Sequence, residues 1–325
     1  MYETLVIYNP KANRGRNLLI ARELREYVDG LVESLADNNE HHKVDWVTTT
    51  HPGHATELAM QACQFNPDST DLTQRKRVIS MGGDGTLHEI INGLLKCPYE
   101  NRPLLGIVPT GSGNDFVEGI GAVRDVHLAM RNIFSQNTPR SVDIGYLRIQ
   151  GGEPHYWCNV VGIGFDAAVT LQSQRINWLR GQAMYFMAAV RTIIENYDAP
   201  NLEIDMDGVR TVQRVQMLTV GNGKREGGGF ITTPAARVDD GLLDYALFHP
   251  VSRAMMVRLI PEVMAGTHGR FKQVQMGQLK KLTIHADSES RLLVHADGEM
   301  MVQNDADIHD IEVGVIPAAV RIISG

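Results

Sequence analysis

The chain has 325 residues, 43% of them apolar and 21% charged, with a formal net charge of −7. That length exceeds what a single hydrophobic core usually serves, so two domains are expected. The acidic balance excludes nonspecific nucleic-acid binding, which needs a strongly basic face. Any phosphate-bearing ligand must therefore meet a local cluster of donors.

In chain order, "TLVIYNP" reads as a short buried strand that Pro10 ends. Leu24, Tyr27, Val28, Leu31, Val32 and Leu35 follow at helical spacing. "KVDWVTTT" alternates as a second strand, and "HATELAMQAC" carries a helical stripe. "KRVISMGGDG" is a third strand with "TLHEIINGLL" as its helix, and "PLLGIVPTGSGND" supplies a fourth strand and loop. Four such alternations predict a parallel α/β sheet through about residue 135. Beyond it, runs such as "HYWCNVVGIGFD", "RVQMLTVGN", "LLDYALFHP" and "RLLVHADGE" are short, β-rich and parted by turn residues. They predict a mainly antiparallel sheet or sandwich, with helices near 171–196 and 251–266. The boundary is expected between about 130 and 142.

Cys63, Cys97 and Cys158 form no CxxC pair, so neither a disulfide framework nor a zinc knuckle is indicated. The N-terminal apolar run is too short for a signal peptide. "LRGQAMYFMAAVRTII" is broken by arginines before reaching the roughly 20 apolar residues of a membrane span. A cytoplasmic protein is expected. His51 and His54 lie three apart with no acidic partner at metal-ligand spacing, so no zinc site is expected. No G-x-S-x-G elbow supports hydrolase chemistry.

The most informative stretch is "SMGGDGTLHEIINGL", residues 80–94. A strand ending in glycines brings its backbone close to a ligand, and the following helix N-terminus offers unpaired N–H groups and a positive dipole end. Asp84 inside that cradle would repel phosphate unless a divalent cation such as magnesium sits between them. A capped tight turn explains the stretch equally well on its own. What favours a nucleotide site is that the other strand-end loops should converge on the same sheet edge. These are "NPKANRGR", Thr48–Thr49–Thr50 with Gly53, and "PTGSGND". Neither the P-loop nor the Rossmann glycine pattern is present.

"NPKANRGR", "GGDGTLHEIINGL", "PTGSGNDF", "GNGKREGGGF…TPAARVDDGLLD" and "VHADGE" stand in the order that resembles the diacylglycerol kinase catalytic-domain family, which includes bacterial lipid kinases and sphingosine and ceramide kinases. The resemblance runs over nearly the whole chain. It implies an N-terminal three-layer α/β domain over 1–136 with a parallel sheet, and a C-terminal antiparallel β-sandwich domain over 137–325. The last residues are open to packing back on the first domain. It also implies an active site in the interdomain cleft. ATP with Mg2+ would phosphorylate the hydroxyl of a lipid such as diacylglycerol, presented at a membrane surface to a protein without a transmembrane segment. A homodimer is left open.

Carried over by position, Asn9, Pro10, Lys11, Ala12, Asn13, Thr49, Gly82, Gly83, Asp84, Gly85, Thr86 and Ser112 are the implied nucleotide contacts. Asn13 stands where the family carries glycine, and asparagine tolerates the left-handed conformation that the place requires. Asp297 is the implied catalytic base, with Glu299 holding water or metal beside it. Asp84 and Asp115 are expected to hold the catalytic magnesium. Asp240, with carbonyl oxygens of Arg237 and Leu242, is the implied structural magnesium loop. Two rival readings are an NAD kinase-like enzyme and a catalytically silent nucleotide-binding regulatory protein. "WLRGQAMYFMAAVRTI", with Arg175, Arg180 and Arg191, reads either as a core helix of the second domain, the favoured reading, or as a lipid-facing one.

Overall fold

A computed structural model describes residues 2–36, 41–64, 76–135, 138–176, 178–179, 181–195, 199–287, 290, 292–302 and 308–323. The chain divides into two compact units, Met1–Val142 with Ala318–Gly325, and Asp143–Pro317.

The first unit alternates as the apolar periodicity predicts: β1 (Tyr2–Tyr8), α1 (Asn17–Ala36), β2 (His42–Thr48), α2 (His54–Ala62), β3 (Lys76–Gly82), α3 (Asp84–Leu95), β4 (Leu104–Pro109), then α4 (Asp115–Gly119) and α5 (Val126–Ser135). The strands lie in the order β2-β1-β3-β4, every pairing parallel, so their carboxyl ends share one edge. Ile79, Met81 and Val108 of the sheet pack against Ala21, Leu24 and Val28 of α1 and Met130, Ile133 and Phe134 of α5. On another side α2 packs so closely on α3 that a Cβ added to Gly93 would strike the Thr56 carbonyl. The chain's last residues belong here as well. Ile322 and Ile323 run parallel to β4, and Arg102 donates to the Ala319 carbonyl at 2.7 Å.

The second unit opens within β5 (Arg140–Ile149) and continues β6 (His155–Trp157), β7 (Val160–Gly164), α6 (Phe165–Gln174), α7 (Gly181–Ile194), β8 (Asn201–Met206), β9 (Val209–Arg214), β10 (Met217–Gly221), β11 (Leu243–Phe248), α8 (Arg253–Ala265), β12 (Val274–Leu279), β13 (Lys281–Ala286), β14 (Val294–Ala296), β15 (Glu299–Val302) and β16 (Asp310–Ile323). One sheet runs β12-β11-β10-β7-β14-β15, antiparallel throughout. A second joins the first half of β16 to β13, β8 and β9, also antiparallel, with β5 and β6 beside β16. Trp157, Ile163, Ile204, Leu218, Leu247, Ile284 and Val313 fill the space between them, which makes this unit a β-sandwich.

One helical expectation is refined. The stretch 171–196 is not one helix: α6 ends at Gln174 and α7 starts at Gly181, whose φ of +58° lies in the left-handed region. A backbone turn of that hand suits glycine and cannot continue a right-handed helix. Arg180, singled out in the sequence, lies outside the described residues. Among those described, no helix is long and apolar enough to cross a membrane.

Candidate active site

Every residue the sequence assigns to nucleotide contact sits at or just beyond the end of a parallel strand, on the carboxyl edge of the first unit's sheet. Asn9 to Asn13 follow β1, Thr49 follows β2, Gly82 to Thr86 span the turn from β3 into α3, and Ser112 follows β4. Asn17, fully buried, draws the first and third of these loops together by donating to the Asn9 carbonyl at 2.6 Å and the Met81 carbonyl at 3.2 Å. Nothing in the sequence marked Asn17 beyond its place at the start of a helix. Asn13 and Arg14 both have positive φ, 50° and 60°, and Gly15 follows at 81°. The loop thus takes the left-handed turn with asparagine in the glycine's place.

The β3 and β4 loops are locked to each other. The Thr110 and Gly111 N–H groups both donate to the Gly82 carbonyl at 3.0 Å. The Asp84 carboxylate accepts the Asn114 N–H at 2.8 Å and the Phe116 N–H at 3.5 Å. Asn114, itself left-handed, closes the second loop by bonding Gly111 through both ends of its side-chain amide. Asp84 is therefore a clasp between two glycine-rich loops as well as a carboxylate at a helix N-terminus. The fit leaves no room for a side chain, since a Cβ on Gly111 would collide with the Gly83 backbone. Gly111→Ala should therefore spread the loops and lower kcat/KM for the nucleotide about 10²-fold, the usual cost of misplacing reacting groups by about an ångström. Gly30→Ala, a helical site with open space around it, is the matched control.

In the second unit Asp297 sits at a tight hairpin with φ +50°, followed by Gly298 at +83°. Its carboxylate accepts three successive backbone N–H groups, Cys158 at 2.8 Å, Asn159 at 2.8 Å and Val160 at 3.1 Å, and the Cys158 thiol at 3.4 Å. Its own N–H returns to the Val160 carbonyl at 2.9 Å. The acid is thus aimed by the β6–β7 connection as well as by its own hairpin. Glu299, two residues on, is exposed.

The loop carrying Arg237, Asp240 and Leu242 is anchored by Asp143, a buried residue absent from the sequence-derived set. Asp143 accepts the Gly241 N–H at 2.7 Å, and its backbone bonds the Val238 carbonyl and the Asn222 side chain. Asp240 accepts the Leu242 N–H at 3.1 Å. Arg237 turns its guanidinium to Asp239 at 3.4 Å. Burial pushes the nearby Asp244 carboxyl above the usual range, the charge of Asp240 adds to this, and a hydrogen bond from Gln278 opposes it. The Asp240 carboxylate and the loop's backbone carbonyls are hard oxygen donors, of the kind a magnesium ion takes.

Sequence reading also missed a cluster assembled from three distant segments. His295 of β14, 2% exposed, directs Nε2 at Asp166 of α6 and at Glu226, 3.5 Å from a carboxylate oxygen of each. The Thr219 hydroxyl donates to Asp166 at 3.0 Å, and the Gly298 N–H donates to His295 Nδ1 at 3.4 Å. The three ligand atoms lie within 4.8 Å of one another, which makes this buried group a candidate metal site. The only available signals were the neighbours, "GFDA", "KREG" and "HADGE", and each is separated from the next by dozens of residues. An exposed group of the same kind joins His51 and His54 to Glu57. The expectation that no acidic residue accompanies those histidines fails, because the first turn of α2 carries Glu57 one turn beyond His54.

Comparison with known proteins settles the family. The model of the diacylglycerol kinase catalytic domain matches residues 3–147. That of the YegS C-terminal NAD kinase beta sandwich-like domain matches residues 159–324, half of the chain. The chain belongs to the YegS-like bacterial lipid kinase family. Among its relatives, a probable YegS-like lipid kinase of Chromohalobacter salexigens is 34% identical over 230 residues, 69% of each chain. A diacylglycerol kinase of Bacillus subtilis is 24% identical over 300 residues, 92% of this chain and 90% of that one. The solved structure of a putative diacylglycerol kinase from Bacillus anthracis superimposes with a TM-score of 0.71 at 23% identity, covering 100% of this chain and 95% of that one, a likeness of fold.

Proposed function

We infer that this protein is an ATP- and magnesium-dependent lipid kinase, which transfers the γ-phosphoryl group of ATP to the hydroxyl of a lipid such as diacylglycerol. The observation that carries the reading is the clasp of Asp84 across two glycine-rich loops, at the strand edge where α/β proteins bind nucleotides. Phosphoryl transfer asks the protein mainly to position and to neutralise charge. The glycine-rich loops present backbone N–H groups to the triphosphate, and Lys11, Arg14 and Arg16 lie beside them in the β1 loop. Asp84 and Asp115 are the acids that would hold the nucleotide's magnesium, which would offset phosphate charge when bound. Asp297 takes the proton of the lipid hydroxyl as it attacks. Glu299 orders water beside it.

The Asp240 loop, with carbonyls of Arg237 and Leu242, serves stability in this reading. Added magnesium should raise the melting temperature of the full chain, by the mass action of a ligand that binds only the folded state. Asp240→Asn should abolish the part of that rise seen without nucleotide. A melting temperature indifferent to magnesium would remove the assignment.

The deciding assay supplies labelled ATP with diacylglycerol in mixed micelles and, in parallel, with NAD. Label in the lipid is expected. Label in NAD would favour the NAD kinase reading that the name of the C-terminal domain model brings to mind. Nucleotide binding with no acceptor labelled across a lipid extract would favour a regulatory protein.

A further inference from the structure

A helix that only completes a core buries one face and turns polar residues outward. The inner face of α7 conforms: Ala188, Ala189, Thr192 and Ile193 are buried, packed with α6 residue Val169 and α8 residue Ile260. Its outer face does not. Phe186 is 44% exposed and Ile194 67% exposed, eight residues apart on the helix, while Val190 between them packs on the core. Just before the helix Trp178 is 67% exposed. From Arg175 to Ile194 the chain carries three arginines and no acidic residue, in a protein whose net charge is −7. Arg175 and Arg191 are both exposed, and among the described residues neither pairs with a carboxylate.

We propose that Trp178 and the outward face of α7 dock this protein onto an anionic lipid bilayer, with Phe186 and Ile194 entering the interface and Arg175 and Arg191 meeting lipid phosphates. The proposal rests on the lipid kinase reading, in which the acceptor is carried by a membrane. An exposed tryptophan beside arginines is the composition of an interfacial helix, its ring at headgroup depth and its cations on anionic lipid. A second copy of the chain is the poorer occupant. A two-fold interface would set this face against itself and bring like-charged arginines together.

The test is binding of the full chain to phosphatidylcholine vesicles with and without phosphatidylglycerol, followed by sedimentation and tryptophan emission. Trp157 is fully buried and Trp46, on β2 of the first unit, is half-buried, so the exposed Trp178 should dominate any change. A blue shift and co-sedimentation are expected on phosphatidylglycerol vesicles only, weakening as salt rises. Trp178→Phe should remove the shift. Arg175→Glu with Arg191→Glu should weaken vesicle binding by roughly 25-fold or more, at about fivefold per basic residue lost from the surface. Phosphorylation of a water-soluble short-chain diacylglycerol should be unchanged in these variants, while that of vesicle-embedded diacylglycerol falls. Absence of vesicle binding by the parent, or equal binding by the charge-reversed variant, overturns the proposal whatever the kinase activity. So does a dimer that Trp178→Ala dissociates without any vesicle binding. Vesicle binding by a chain that phosphorylates no lipid would instead leave the surface standing and remove the kinase reading.

Discussion

Asp84→Ala is expected to reduce lipid phosphorylation by more than about 10³-fold and also to lower the melting temperature. Both effects come from one carboxylate. Its removal leaves the Asn114 and Phe116 N–H groups without their acceptor, and an orphaned, partly buried donor costs about 1–3 kcal/mol. For a protein of this size that corresponds to a fall of several degrees. It also frees the β4 loop from the β3 loop, so the nucleotide's phosphates meet two loops no longer held in register. Asp84→Asn separates the contributions. The amide oxygen can keep the 2.8 Å bond to Asn114, so the melting temperature should recover in part, whereas the lost negative charge can no longer hold magnesium and turnover should stay low. Calorimetry alongside a magnesium titration of activity reads both. Parental kcat/KM in Asp84→Ala would remove the residue from the site. Lost activity at an unchanged melting temperature would contradict the clasp.

The second large effect is at Asp297. A positioned general base is typically worth about 10²–10⁴-fold, and Asp297→Ala should lose at least that much kcat. Its three backbone donors complicate the reading, because the same substitution strips acceptors from Cys158, Asn159 and Val160 and loosens the β6–β7 connection. The pH dependence distinguishes the two. If Asp297 acts as base, kcat/KM of the parent falls on the acid side as the carboxylate is protonated, and the residual activity of Asp297→Asn loses that limb. A purely structural role would scale the whole profile down without changing its shape. Glu299→Gln, on an exposed neighbour, should cost less and keep the limb. Near-normal turnover by Asp297→Ala on the true lipid would refute the assignment.

What could be read without coordinates was local and periodic. The four-fold alternation of strand and helix followed from apolar spacing, and the parallel order from that alternation, since parallel strands need crossovers. The loop residues from Asn9 to Asn13 and from Gly82 to Thr86 were visible because glycine, asparagine and proline at a strand end report backbone conformation directly. Asn13 is the clearest case, with its left-handed φ of 50°. The core role of α7 was half legible. Its spacing showed an apolar helix, but which apolar residues face inward depends on where α6 and α8 pack.

What needed the fold was every relation between side chains far apart in sequence. Its charge marks Asp84 in the sequence, yet its acceptor role toward Asn114 and Phe116 appears only when β4 lies beside β3. Asp143 reaches the Asp240 loop across about a hundred residues, and Asp166, Glu226 and His295 meet from three separate segments. Gln174 and Gly181 end and restart a helix at a left-handed turn that apolar periodicity does not register. The amino-acid sequence by itself therefore determined the elements, their alternation and the chemistry of each loop, because these follow from backbone preference and hydrophobic period. Only the tertiary structure decided which carboxylates share a donor, a histidine or a loop, because pairing register and helix packing set those distances.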